Sequence, residues 1–159
     1  MVFLGAAALA APLQAGPAVK VEEGKYQDKD GNPTWNKTED GTWDWYTFSG
    51  YRRYHAECHV CHGPDGEGST YAPALRESLK TMTYDQFQET VVNGRVVHTS
   101  GKESVMPAFG TNKNVMCYLD DIYVYLKARA DGALPRTRPE KREPKLDSIK
   151  KYEDACISG

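Results

Sequence analysis

Apolar and polar positions along this chain recur mostly at helical spacing. From Asp44 onward, Thr47, Gly50, Tyr51, Tyr54 and Cys58 follow one another at three- and four-residue steps, which predicts a helix running into Cys58. Gly50 on that helix would allow close approach of another. Pro73 is suited to open a short helix with Leu75 and Leu79 on one face. Thr83-Tyr84-Asp85-Gln86 matches a capping box, followed by Phe87 and Val91 until Gly94 stops the helix. A last helix carries Val115, Leu119, Ile122, Tyr123 and Leu126 on one stripe, with Lys127 and Arg129 near its C-terminal dipole and Gly132 beyond. No alternating strand pattern is evident, so the chain reads as all-α.

The segments around these helices are of a different kind. Residues 1–15 form an apolar run closing on small residues, the pattern of a secretory signal-peptide remnant. Residues 16–42 are polar and turn-rich around Trp35 and Trp43, an irregular arm expected to lie on the domain. Residues 43–131 hold the helical core. Residues 132–159 contain Pro135, Pro139 and Pro144 among alternating charges, then a short possible helix near Asp147–Asp154. At 159 residues this is one domain with two extensions.

Candidate chemistry sits where the first helix ends. Cys58-His59-Val60-Cys61-His62 is a C-x-x-C-H run, in which two thiols can take up the vinyl groups of a haem while the next imidazole ligates its iron. One turn of helix-like backbone sets both sulfurs along one porphyrin edge and turns His62 beneath the metal. A dithiol redox motif would need a thioredoxin-like βαβ setting, and a zinc site would need a second Cys or His pair at similar spacing. Neither context is visible.

Downstream, Val105-Met106-Pro107-Ala108-Phe109-Gly110 offers a methionine thioether, the usual sixth ligand of an electron-transfer haem. The proline stiffens the segment, which falls between two helical patterns rather than on an apolar helical face. A packing role for Met106 is the alternative. His98 is the rival ligand and otherwise a loop histidine near the haem edge. His55 and His59 read as surface or packing residues, and Met82 and Met116 as core or surface ones. Gly63-Pro64-Asp65-Gly66-Glu67-Gly68 is a turn-forming loop that fits no nucleotide-binding fingerprint.

Charge and the remaining cysteines narrow the picture. The formal net charge is −2, which disfavours nucleic acid as a partner. Residues 16–42 carry 4 basic and 6 acidic groups, residues 43–131 carry 9 and 11, and residues 132–159 carry 7 and 5. The basic tail against an acidic body could steer docking or be a plain solvated surface, and the near balance overall predicts docking through apolar surface around a haem edge, with modest salt dependence. Export would place Cys117 and Cys156 in an oxidising compartment, where a disulfide clamping the tail is the simplest outcome and two buried free thiols the alternative.

Together, C-x-x-C-H after an aromatic helix, Ala72-Pro73-Ala74-Leu75 after the loop, the Met-Pro segment and the Tyr- and Leu-rich last helix resemble class I cytochrome c over about residues 44–131. The resemblance implies that the Pro73 carbonyl accepts the second N–H of His62 and fixes its tautomer. Asn93-Gly94-Arg95, Met106-Pro107-Ala108-Phe109-Gly110 and the run Asp120–Gly132 further resemble the methanol-metabolism-related four-cysteine cytochromes, XoxG-type and cytochrome c-L.

What this second resemblance implies is a periplasmic one-electron carrier, not an enzyme. It would hold a single covalent haem c. Electrons would come from a PQQ-dependent methanol dehydrogenase of the lanthanide type and pass to a downstream cytochrome or oxidase. A generic electron-transfer cytochrome, or a cytochrome subunit of another oxidoreductase, is the alternative. Arg95 is a candidate propionate partner, with an exposed arginine as its plain reading. The protein is expected to be soluble and monomeric.

Overall fold

A computed structural model describes residues 16–159; the expected signal-peptide remnant lies outside the described residues. The described residues form seven α-helices, α1 (Trp45–Glu57), α2 (His59–His62), α3 (Leu75–Ser78), α4 (Tyr84–Asn93), α5 (Lys113–Met116), α6 (Leu119–Ala130) and α7 (Asp147–Ser158), with a 3-10 turn at Pro64–Gly66. The helical expectation for the core holds. The expectation of no strands does not, because two antiparallel hairpins are present, β1 (Lys20–Glu22) with β2 (Lys25–Gln27) and β3 (Arg95–Thr99) with β4 (Lys102–Met106). Both are short, and β3 is exposed along its whole length, so burial imposes no apolar alternation on it.

The fold is organised by the crossing of α1 and α6. Asp44 starts α1 by accepting from the Thr47 N–H at 2.8 Å, and its second carboxylate oxygen takes the Asn36 N–H and the Thr47 hydroxyl. At Gly50 a β-carbon would stand 1.9 Å from the Asp121 carbonyl oxygen. Only glycine permits this approach. Tyr54 and Tyr125, both fully buried, then pack with ring centroids 5.5 Å apart, and Tyr51 meets Tyr125 edge-on. Leu79, Phe87, Val91, Val115, Ile122 and Leu126 complete the core.

The last helix departs from its sequence reading in one respect. The stripe from Val115 to Leu126 is divided between α5 and α6, with Tyr118 at φ −128°, ψ 22° between them. The break frees Cys117 to meet Cys156 of α7, closing a loop of 39 residues. By loop entropy such a bond stabilises by about 3–4 kcal/mol. Helix α7 is longer than the sequence indicated. It is also tied down by Tyr118, whose hydroxyl donates to Glu153, and by Lys145, paired with Glu153 at 2.6 Å.

The N-terminal arm is more regular than expected. Its hairpin is anchored where Lys25 pairs with Asp120 at 2.5 Å, and buried Trp35 donates its indole N–H to Asp131 at 2.8 Å. Trp43 bridges to the C-terminal extension, donating its N–H to Lys141 and accepting from Glu143. Among the described residues no helix is long and apolar enough to cross a membrane.

Asp121, at the helix crossing, is a buried carboxyl. Burial, aided by the charges of Glu153 and Asp120, pushes its pKa up to about 8 against the opposing hydrogen bond from Ser49 and charge of Lys25. The native state thus retains a proton that the unfolded chain releases above about pH 4, so this group's stabilisation is full at low pH and is lost as pH rises towards 8. Asp44, raised to about 6 by burial, acts with the same sign over a narrower window. The wild-type urea midpoint should fall between pH 5 and pH 8, and Asp121→Asn should remove most of that fall, a difference on the order of 1–3 kcal/mol.

Candidate haem site

Helix α1 delivers the C-x-x-C-H run directly. Cys58 keeps helical geometry at its C-cap, and the His62 N–H returns to the Cys58 carbonyl at 3.0 Å, so Cys58 and Cys61 stand one turn apart. Cys58 is half-buried against the core, while Cys61 and Val60 are exposed. Burial pushes the Cys58 thiol up to about 12, with the charges of Glu57 and Cys61 adding to it. A catalytic dithiol needs the opposite shift. No group of three metal-ligating side chains gathers among the described residues, so the zinc reading finds no partners either.

His62 is buried, at 7% exposure, and its Nδ1 lies 3.0 Å from the Pro73 carbonyl oxygen. A carbonyl can only accept, so Nδ1 carries the proton and Nε2 keeps its lone pair. Burial holds the imidazole pKa below its usual range against the raising effect of the Pro73 bond, and the ring is therefore neutral at physiological pH. This is the state a metal-ligating histidine needs.

The loop between His62 and Pro73 is held by two side chains that the sequence reading placed on helices without giving them a part in this loop. Tyr54 donates its hydroxyl to the Gly63 carbonyl at 2.6 Å and accepts the Gly66 N–H at 3.0 Å. Arg129, buried rather than merely decorating a helix end, donates to the Asp65 carbonyl, the Leu134 carbonyl and, at 2.6 Å, the Glu67 carboxylate. Glu67 in turn pairs with Arg76 on α3, three residues past Pro73. The loop is thus wired to α1, α6 and α3 together. Tyr54 lies four residues before Cys58 and could have been found by that spacing, whereas Arg129 gave no local signal.

Met106 ends β4, half-buried at the margin of the core, in direct register with Arg95. Pleat alternation puts Arg95, Val97, Ser104 and Met106 on one face and Val96, His98, Glu103 and Val105 on the other. His98 is therefore on the face opposite Met106, exposed and 3.3 Å from Glu103. Gly94, at φ 72°, brings α4 so close to the methionine segment that a β-carbon there would fall 2.6 Å from the Met106 carbonyl oxygen. Phe109 and Gly110 donate their N–H groups to the Val91 and Val92 carbonyls, using acceptors that α4 leaves open at its end. Lys102 reaches from the hairpin to the Thr70 carbonyl at 3.2 Å, joining the segments that carry Met106 and Pro73. His55 lies against Tyr51 and Asp65, a packing role.

Two thiols one turn apart, a neutral imidazole with one nitrogen committed, and a stiffened thioether segment form a donor set that fits a covalent haem. Residues 47–126 match the family described as cytochrome c oxidase, cbb3-type, subunit III. The chain belongs to the c-type cytochromes. It is 58% identical over 139 residues to cytochrome c-553I of Paracoccus denitrificans, covering 87% of this chain and 62% of that protein's length. It is 41% identical over 99 residues to cytochrome c-555 of Methylococcus capsulatus, covering 62% of this chain and 74% of the relative. The crystal structure of c-type cytochrome XoxG from Methylobacterium extorquens AM1 superposes with a TM-score of 0.81 at 58% identity, covering 87% of this chain and 85% of that one.

The cytochrome is accordingly a haem c protein and an electron carrier. Its loop wiring has a measurable consequence. Tyr54→Phe leaves the Gly63 carbonyl and the Gly66 N–H without their buried partner, so unfolding by urea should show a loss of about 1–3 kcal/mol.

Proposed function

We propose that this cytochrome accepts single electrons from a PQQ-dependent methanol dehydrogenase of the lanthanide type in the periplasm and passes them to a downstream cytochrome or oxidase. The observation that carries this reading is the extent of the XoxG likeness. It takes in 87% of the chain, well beyond the family match at residues 47–126. The match to the oxidase subunit description supports a second reading, a generic carrier or a cytochrome subunit of another oxidoreductase.

In this proposal Cys58 and Cys61 form the thioethers, His62 Nε2 and the Met106 thioether ligate the iron, and Arg95 meets a propionate. Haem c, when bound, supplies an iron that cycles between ferric and ferrous states. The protein's part is to hold both ligands in place. Pro73 keeps His62 in the tautomer that ligates, while the Gly94 contact and the α4 hydrogen bonds brace the segment carrying Met106. With His62 and Met106 both holding the iron, small molecules would be kept from it and the group would serve to carry single electrons. The reading also takes the protein to be a water-soluble monomer.

Met106→Ala should retain covalent haem but open the sixth position, so that cyanide or imidazole binds faster than to wild type. An unchanged ferric spectrum and unchanged ligand binding would assign that position to another group. For the partner, stopped-flow mixing of oxidised cytochrome with methanol-reduced PQQ dehydrogenase should give rapid reduction. A rate no greater than with unrelated flavoprotein donors, at matched driving force and salt, would leave the generic carrier.

A further inference from the structure

Three arginines converge on one buried ring. The guanidinium carbons of Arg52, Arg138 and Arg142 lie 5.9, 5.1 and 3.8 Å from the centroid of the Phe48 ring, which is itself 2% exposed. The three side chains are exposed, and none of them forms an ion pair among the described residues. Of the acidic groups beside them, Asp40 is paired with Lys141 at 2.6 Å and Glu143 accepts from the Tyr26 hydroxyl at 2.6 Å, while Glu140 is exposed and its backbone carbonyl accepts from the Arg142 guanidinium at 3.2 Å. Gathered around a single ring, the three charges lie within about one Debye length of each other at 0.1 M salt, ~10 Å, and act on a partner as one cationic patch. The buried aromatic beneath them orients the guanidinium groups by cation–π attraction without neutralising them.

The patch is assembled by tertiary structure. Arg52 belongs to α1, six residues before Cys58 and so about 9 Å along the helix axis from it. Arg138 and Arg142 belong to the C-terminal extension, which Trp43 holds through a parallel bridge to Arg142 and through hydrogen bonds to Lys141 and Glu143. That extension lies outside the family match at residues 47–126. A feature added to the generic domain suits a specialised partner better than a generic one.

We infer that Arg52, Arg138 and Arg142 form a docking surface for a carboxylate-rich patch on the electron-donating dehydrogenase. The inference rests on the donor proposed above. It replaces the expectation of weakly charged docking drawn from net charge, because an even balance over the chain does not preclude a local concentration of one sign. A protein surface is the occupant because the carrier's work is done with protein partners. Three forked guanidinium groups can each take a carboxylate bidentately, which fixes orientation as well as proximity.

The test compares reduction of wild-type holocytochrome with that of the triple variant Arg52→Gln/Arg138→Gln/Arg142→Gln by methanol-reduced dehydrogenase across ionic strength. At low salt the triple variant should be reduced about tenfold more slowly, and its rate should lose most of the salt dependence seen in wild type. Reduction by an uncharged hydroquinone should be equal in both, which shows that folding and haem are intact. Lys150→Gln/Lys151→Gln, which removes two exposed charges from α7, should leave the enzymatic rate unchanged.

If wild type is reduced rapidly and the triple variant keeps both rate and salt slope, the docking inference is overturned while the donor assignment stands. If wild type is itself reduced no faster than by unrelated donors, the donor assignment fails and the inference with it. Loss of binding to vesicles of anionic phospholipid by the triple variant, with no change in enzymatic rate, would overturn it in favour of a membrane surface.

Discussion

The approach of α1 to α6 at Gly50 is the constraint on which the rest depends. With no side chain at that position, the two backbones approach until the Asp121 carbonyl lies where a β-carbon would stand. That proximity packs Tyr54 and Tyr51 against Tyr125 and sets the direction in which α1 ends. The end of α1 is the C-x-x-C-H run. Helix packing therefore aims the cysteines and His62, and the same packing leaves Asp121 as a buried carboxyl whose protonation is coupled to folding.

Polar wiring then fixes the loop that sets Pro73 beside His62. The loop from Gly63 to Pro73 has few apolar residues of its own, so its shape comes from hydrogen bonds to side chains anchored elsewhere. Tyr54 reaches it from α1 and Arg129 from α6, while Glu67 links Arg129 to Arg76 beyond Pro73. These bonds fix where the Pro73 carbonyl lies, and that carbonyl decides which nitrogen of His62 is protonated. On the other side, the last turn of α4 lends its open carbonyls to the segment after Met106. The segments that carry His62 and Met106 are thus held by the same helices that form the core.

The extensions are structural parts of the domain. Trp35 and Trp43 bury themselves against it, and the Cys117–Cys156 bond clamps α7 beside α5. Their placement brings a basic stretch of the tail to the side of α1. In an electron carrier with near-zero net charge, such local arrangement decides how a partner approaches.

Much of the candidate site was legible in the sequence as a local pattern. The C-x-x-C-H spacing is a local code, because a single helical turn carries both thiols and the imidazole. The helices announced themselves through apolar spacing, and the Thr83 capping box formed as read. The β3–β4 hairpin escaped notice because Val96 and Val105 face solvent on a two-stranded ribbon, so no burial enforced an alternation that could be seen. The break at Tyr118 escaped because the apolar stripe continues across it. Tertiary structure alone decided that Arg129 is buried against the loop of residues 63–73 and that Arg52 meets Arg138 and Arg142 over Phe48. The physical reason is that local spacing records which face of an element is apolar, whereas the partner of a charged group depends on what distant chain is packed beside it.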